Sequence, residues 1–347
     1  MAKKKTTDAT PPSSGEYHSM REDMLKKLGS KVALGEDIDD TKLDSISTGS
    51  YKLDWALGTP LVEGSINEIY GTEQTGKTTI ALEAAASAIA MGKPVFFFDL
   101  ERKLRESSLN MIDGLQGDAR KLFTRIRPDT GEEAVDLVHD CIMDFPGCFI
   151  IFDSISAMMP EVEGVESSTK QSMGRVAKIC WNMVRKNLGP TERNRCCILF
   201  VSHISPKLNP YQTGDNKKGG KAISNLASQI IKLKRNSVDI LKTADGDSYG
   251  QMTQCEIIKN NMARPFRKAH VPIIWGKGID KNLDLVQLAR DLAIIEYSKG
   301  WYVTDYGCEE GEVKRLREAD LLQILSEDPS YKTKIVNEVR EFLAEAY

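Results

Sequence analysis

Residues 65–91 read SINEIYG, TEQTGKTT, IALEAAASAIAM: an apolar run, a polar loop bounded by glycine, and an alanine-rich stretch of helical character. The eight residues Gly71, Thr72, Glu73, Gln74, Thr75, Gly76, Lys77 and Thr78 fit the pattern GxxxxGK[ST], with Thr79 next, and they stand between a strand and a helix as that pattern requires. The two glycines let successive backbone N–H groups turn inward. The helix that starts near Lys77 adds its positive end, which suits a bound phosphate. Lys77 is expected to reach the outer phosphates and Thr78 to place its hydroxyl on Mg²⁺. The expectation is a nucleotide site for ATP and Mg²⁺.

Outward from this loop, strand and helix patterns alternate. PVFFFDL (94–100), LFTRIR (122–127), CFIIFDS (148–154) and CCILFVSH (196–203) are candidate strands, with GEEAVDLVHDCIMD (131–144) and residues about 170–188 as helices between them. Continuous apolar runs such as PVFFF are the mark of parallel strands covered on both faces. ASQIIKLKR (227–235) and QCEIIKNN (254–261) return to strand character. The predicted class is an α/β fold, a doubly wound or related sheet. Asp153 ends the run FIIFD, where its carboxylate is placed to hold the water shell of Mg²⁺. Asp99 and Glu101 end PVFFF, and Glu101 is the candidate to orient a water against the terminal phosphoryl group. An acid at the start of a helix is the plain alternative there. His203 closes CCILFVSH and is a candidate phosphate sensor, immediately before the aperiodic residues 204–220.

Lys207, Lys217, Lys218 and Lys221 lie in or next to that aperiodic stretch, and KNNMARPFRK (259–268) carries four cations and no acid. The whole chain, 347 residues with 47 Lys+Arg and 50 Asp+Glu, has a formal net charge of -3. That excludes a histone-like basic binder but permits a local polyanion channel. No helix-turn-helix or zinc-finger spacing suggests base readout. The seven Cys are irregularly spaced and the four His isolated, which points to reduced buried thiols in the cytoplasm. No apolar run reaches bilayer length, so no membrane partner is expected.

Residues 1–40 are expected to be a disordered tail, to about residue 18, followed by a short helix over SMREDMLKKL (19–28) with Ser19 as N-cap. Residues 41–278 form the predicted core. Residues 279–347 read as a small α+β domain, with helices at 284–294, 316–325 and 332–345 and an aromatic strand or turn at 300–307. Residues 305–347 carry 11 acidic and 6 basic side chains, so this part is locally acidic.

Taken together, LDSISTGSYKLDWALG (43–58), GSINEIYGTEQTGKTT (64–79), RPDTGEEAVDL (127–137), FIIFDSISAMMP (149–160), GGKAISNLAS (219–228), IIKNNMARPF (257–266) and GWY (300–302) resemble the RecA-like DNA recombinases, the phage form in particular. The resemblance covers about residues 29–345. It implies a RecA-like phosphate-loop ATPase core with a mostly parallel central sheet, a short N-terminal polymerisation helix and a small C-terminal domain. It implies a DNA-dependent ATPase that forms helical homo-oligomeric filaments on single-stranded DNA and exchanges strands with homologous duplex DNA. Single-strand-binding and mediator proteins are further implied partners, and a phage product would work in the host cytoplasm. By the same resemblance Glu101 is the water-activating glutamate, and His203 stands where cellular members carry a phosphate-sensing glutamine. Residues 161–173 and 204–220 are the DNA loops, Gly219 and Gly220 end the second loop, and Lys178 and Arg185 contact the phosphate backbone. Lys259 is the lysine offered across the subunit interface, and Trp275 of a neighbouring subunit lies near the nucleotide. Three positions depart from the family pattern: Asn261 replaces a second interface lysine, Ser108 an adenine-stacking tyrosine, and Asn225 an interface aromatic. Two other functions stay open, a phosphate-loop helicase and a filament mediator without useful hydrolysis.

Overall fold

The computed structural model describes residues 14–28, 43–158, 169–205, 216–217, 222–235, 239–243, 245–309 and 312–346. It divides into two units, residues 1–43 and 44–347. The first contains α1 (Ser14–Leu28), which starts five residues before the expected Ser19 cap and so shortens the expected tail. Met20 and Met24 of this helix are both exposed.

In the second unit the chain runs β1 (Ser45–Ile46), α2 (Tyr51–Leu57), β2 (Leu61–Val62), β3 (Ile66–Gly71), α3 (Lys77–Ala90), β4 (Val95–Asp99), α4 (Glu106–Asn110), β5 (Phe123–Ile126), α5 (Gly131–Asp144), β6 (Phe149–Asp153), α6 (Thr169–Arg193) and β7 (Cys197–Ser205). It continues through β8 (Asn216–Lys217), α7 (Ala222–Leu226), β9 (Gln229–Lys234), β10 (Ile240–Lys242), β11 (Ser248–Asn260), β12 (Lys268–Ile274) and β13 (Gly278–Ile279). The C-terminal part holds α8 (Lys281–Asp291), β14 (Glu296–Ser298), β15 (Trp301–Thr304), β16 (Lys314–Leu316), α9 (Glu318–Glu327) and α10 (Pro329–Ala346).

The main sheet has the order β13-β12-β11-β9-β3-β7-β6-β4-β5. Strands β9, β3, β7, β6, β4 and β5 are parallel, whereas β11, β12 and β13 extend the sheet antiparallel. The parallel half matches the apolar runs. The antiparallel extension is where sequence patterning reads short: β12 contains Lys268, His270 and Pro272, which blur the strand signal, and β11 begins six residues before QCEIIKNN. Helix α6 also runs past the expected end at 188, through Pro190 to Arg193.

Each parallel strand sends alternate side chains to two cores, as the two-residue period of a strand dictates. Val95, Phe97, Phe149, Ile151, Leu199 and Val201 pack with Ile80, Ala81, Ala84 and Ala85 of α3. Phe96, Phe98, Ile150, Phe152, Ile198 and Phe200 pack with Val138 and Ile142 of α5 and with Cys180, Met183 and Val184 of α6. Small alanines on α3 let the helix sit close to the strand ends and carry the phosphate loop at its N-terminus. A third cluster joins Leu285, Leu288, Tyr302, Leu321, Leu325, Ile335 and Val339, and Tyr51 and Trp55 of α2 pack against it. All seven cysteines are free thiols and six are buried. Among the described residues, no helix is long and apolar enough to cross a membrane.

Candidate nucleotide site

The register of the sheet brings the candidate residues to one edge. Gly71, the last residue of β3, pairs with His203 of β7. Asp99 at the end of β4 pairs with Asp153 at the end of β6, and Glu101 follows two residues on. All of them therefore stand at the C-terminal ends of parallel strands, the edge where ligands bind in open α/β sheets.

The loop between β3 and α3 is built for close backbone approach. Gly76 has φ +86°, and a Cβ there would lie 2.2 Å from Ile273 Cδ1. A Cβ at Gly71 would lie 2.5 Å from the Leu233 carbonyl oxygen. Gln74 also has positive φ. The loop is held from outside by Gln251, whose Nε2 donates to the Gln74 carbonyl at 3.1 Å, and by Thr253, whose hydroxyl donates to the Thr75 carbonyl at 3.2 Å.

Lys77 is 4% exposed, and its ammonium donates to the carbonyls of Gly71 (3.2 Å) and Thr72 (2.6 Å). Burial lowers its pKa from the ordinary lysine value. A buried ammonium whose hydrogen bonds go to carbonyls gains strongly from an anion, and a phosphate supplies one. Thr78 Oγ1 donates to Asp153 Oδ2 at 2.7 Å. Burial, first of all, raises the pKa of Asp153. A divalent cation between this hydroxyl and carboxylate would reverse that tendency, so the pair fits Mg²⁺.

Glu101 accepts three hydrogen bonds. His203 Nε2 lies 2.8 Å from its Oε1, Ser154 Oγ donates to the same oxygen at 2.6 Å, and Lys103 Nζ donates to Oε2 at 2.6 Å. The His203 hydrogen bond above all, with those of Lys103 and Ser154, holds Glu101 well below the usual carboxylate range. Asp99 has a different role: it accepts from Arg127 Nε at 2.9 Å and from the backbone N–H of Lys103 at 2.9 Å, which fixes the turn carrying Glu101. Ser154, Lys103, Gln251 and Thr253 were not singled out from sequence. Ser154 alone had a signal, its place directly after Asp153.

A cavity of about 310 Å³ beside the loop is lined by Gln74, Gly76, Thr79, Arg235, Gln251, Ile273 and Trp275. Trp275 thus stands next to the phosphate loop of its own chain. The β12 strand, unread in the sequence, carries it there. Ser108 lies on the short helix α4.

The RecA N-terminal domain family matches residues 20–280. The chain is also 31% identical over 318 residues to Protein RecA of Rippkaea orientalis, covering 91% of this chain and 87% of that protein. It is 33% identical over 276 residues to Protein RecA of Heliobacterium modesticaldum, covering 79% and 78%. Protein RecA of Gloeobacter violaceus is 31% identical over 317 residues, covering 91% and 82%. This chain belongs to the RecA family. Membership carries a general recombinase and ATPase role.

The remaining candidates lie on other elements or outside the described residues. Lys178 and Arg185 are exposed on α6, and the Arg185 guanidinium sits 5.7 Å from the centre of the exposed Trp181 ring. Lys207, Lys218, Gly219 and Gly220 fall outside the described residues, and so does most of 161–173. Lys217 belongs to β8, which pairs antiparallel with the end of β7 just past His203. Lys259, near the end of β11, donates to the Asn225 carbonyl at 3.0 Å.

Proposed function

We propose that this chain is a DNA-dependent ATPase that assembles as a helical filament on single-stranded DNA and catalyses homologous pairing and strand exchange, as a phage-type member of the RecA family. The observation that carries the reading is the convergence of Lys77, Thr78, Asp153, Glu101 and His203 at one sheet edge. In this reading the glycine loop cradles ATP phosphates, Lys77 neutralises the outer ones, and Thr78 and Asp153 hold Mg²⁺. When bound, Mg²⁺ neutralises charge on the outer phosphates. Trp275 and Thr79 border the nucleotide.

Glu101 takes the proton of the attacking water, but only when its oxygens are free to do so. One of those oxygens is shared by Ser154 and His203. A terminal phosphate competing for the His203 N–H would release Glu101 toward water and shift β7, whose continuation pairs with Lys217 through β8. His203 thereby links phosphate occupancy to the segment 204–220, which we place on the DNA together with Lys178, Arg185, Lys207, Lys217, Lys218, Gly219 and Gly220. Residues 279–347 act as a small C-terminal domain, and α1 as the polymerisation helix. The phage assignment rests on His203 in place of glutamine and on the triplet Lys259-Asn260-Asn261.

The test is phosphate release with and without single-stranded DNA, combined with electron microscopy of protein, ATP and DNA. Stimulated turnover and open helical filaments are expected. Closed rings that unwind duplex without a homologous partner would replace this reading with a helicase. Filaments formed without measurable turnover would replace it with a mediator.

A further inference from the structure

The same sheet edge contains a donor set whose imidazole Mg²⁺ chemistry does not need. One ligand atom each from Glu101, Asp153 and His203 lies within 4.8 Å of the other two. The set is one imidazole nitrogen and two carboxylate oxygens. The Glu101 and His203 side chains are 17% and 18% exposed, and Asp153 is buried. Magnesium prefers an all-oxygen shell and keeps its waters, so an imidazole gives it little. Zinc takes nitrogen and carboxylate oxygen at about 2.0–2.2 Å, and three protein ligands with an open position suit it.

We propose that Glu101, Asp153 and His203 form a binding site for a borderline transition-metal dication, Zn²⁺ being the clearest case, whose occupation blocks nucleotide turnover. The ligand atoms need little movement. Tetrahedral ligands about 2.1 Å from a metal stand about 3.4 Å from one another, so the 2.8 Å Glu101–His203 pair opens slightly and Asp153 closes in. The incoming ion replaces the proton that His203 Nε2 shares with Glu101. That proton moves to Nδ1 or to solvent, and no oxidation or reduction is involved. Nδ1 is buried without a hydrogen-bond partner among the described residues. Missing outer support of this kind weakens a metal site by roughly 10–100-fold, which argues for reversible occupancy rather than a permanent structural metal. Ser154 supplies outer support on the other side, through its bond to Glu101.

Occupation would have two consequences from the same contacts. Glu101 would be a metal ligand and so unavailable to a water. His203 would be pinned to the strand end. A site for an inhibitory dication is therefore available to this chain because it carries histidine at 203; a glutamine there would offer no imidazole nitrogen.

The ligand set stands independently of the proposed function, and so does its direct test. Nucleotide-free full-length protein is titrated with Zn²⁺ by calorimetry, and with Co²⁺ while following its visible absorption. One saturable site per chain is expected, with Zn²⁺ affinity reduced at least about tenfold in His203→Asn and in Glu101→Gln. Exposed His18 and the partly buried Cys308 contribute background that the parent and both variants share, so the comparison subtracts it. Should either variant fold poorly, the Co²⁺ spectrum of the parent decides, because nitrogen–oxygen coordination differs from hydrated Co²⁺. Equal Zn²⁺ binding by parent and both variants, or a Co²⁺ spectrum identical to the hydrated ion, overturns the proposal. As a second readout, Zn²⁺ at constant Mg²⁺ should inhibit phosphate release by the parent and a chelator should restore it. Inhibition that chelation fails to reverse also counts against the site.

Discussion

Replacing Glu101 by Gln removes the base while retaining its shape, so the structure permits the chemical and structural costs to be separated. The amide oxygen still accepts from Ser154 Oγ, now 2.6 Å from Oε1. The lost charge weakens the contacts to Lys103 and His203. The Lys103 side chain is 78% exposed, so its pair with Glu101 contributes no more than about 1 kcal/mol to stability. Folding should therefore be nearly unaffected. Nucleotide affinity should stay within about twofold, because Glu101 hydrogen-bonds neither to Lys77 nor to the phosphate loop. Loss of a positioned general base slows proton transfer by about 10²–10⁴-fold. That range corresponds to about 2.7–5.4 kcal/mol of barrier. Phosphate release would be measured at saturating ATP and single-stranded DNA, beside a fluorescent-nucleotide titration and a thermal melt. Turnover within about threefold of the parent, with melting unchanged, would refute the role given to Glu101.

Lys77→Ala should lose at least about tenfold in nucleotide affinity, since a charge-assisted contact disappears, while circular dichroism and melting show a folded chain. Gly76→Ala should destabilise by about 1–3 kcal/mol in a denaturant titration, because φ +86° and the 2.2 Å approach to Ile273 both oppose a side chain. Lys178→Ala with Arg185→Ala should lower the slope of log affinity against log salt on single-stranded DNA by about 1–2, with no new sequence preference. Asp284 is buried and accepts from Ser50 Oγ and the Lys52 backbone N–H, and burial pushes its pKa up to about 7 from 3.8. The folded state then holds a proton that the unfolded state has released, so this group's contribution to stability falls as pH rises from about 4 to about 7. Asp284→Asn should remove that part of the slope in melts across the range; an identical slope would refute the assignment.

The parts of the fold legible in the sequence are those where one local rule dominates. FIIFD and PVFFF are apolar throughout because both faces of β6 and β4 are covered, and they end in acids because the strand ends face the ligand edge. The phosphate loop is legible because its glycines answer a backbone requirement. By contrast, β12 and β13 are stabilised by pairing with β11 and with each other, a long-range condition that leaves only KAHVPII and GI in the chain. Trp275 inherits that difficulty: its neighbours Gln74 and Gly76 lie about 200 positions away, and only the antiparallel extension brings them together. The restraint on Glu101 was likewise unreadable, because Ser154, Lys103 and His203 come from three different segments.

Lys259 shows how placement constrains a role. It pairs in register with Ile230 of β9, and Ile230 pairs with Glu68 of β3. Gly71, where the phosphate loop begins, is three residues further along β3, about 10 Å at the rise of a strand. Two strand spacings separate β11 from β3, about another 10 Å. The straight path is thus about 14 Å, beyond the reach of a lysine side chain, and the ammonium already donates to the Asn225 carbonyl. Lys259 therefore cannot serve the phosphate loop of its own chain. If it acts on nucleotide, it does so on a second copy, and the proposed filament is the assembly that supplies one. Mixing Lys259→Ala protein with Lys77→Ala protein tests this directly. A junction with Lys259 on one side and an intact loop on the other then recurs along a mixed filament, so mixtures should hydrolyse ATP faster than either variant alone. Mixtures no faster than the sum of the separate variants would remove Lys259 from the chemistry.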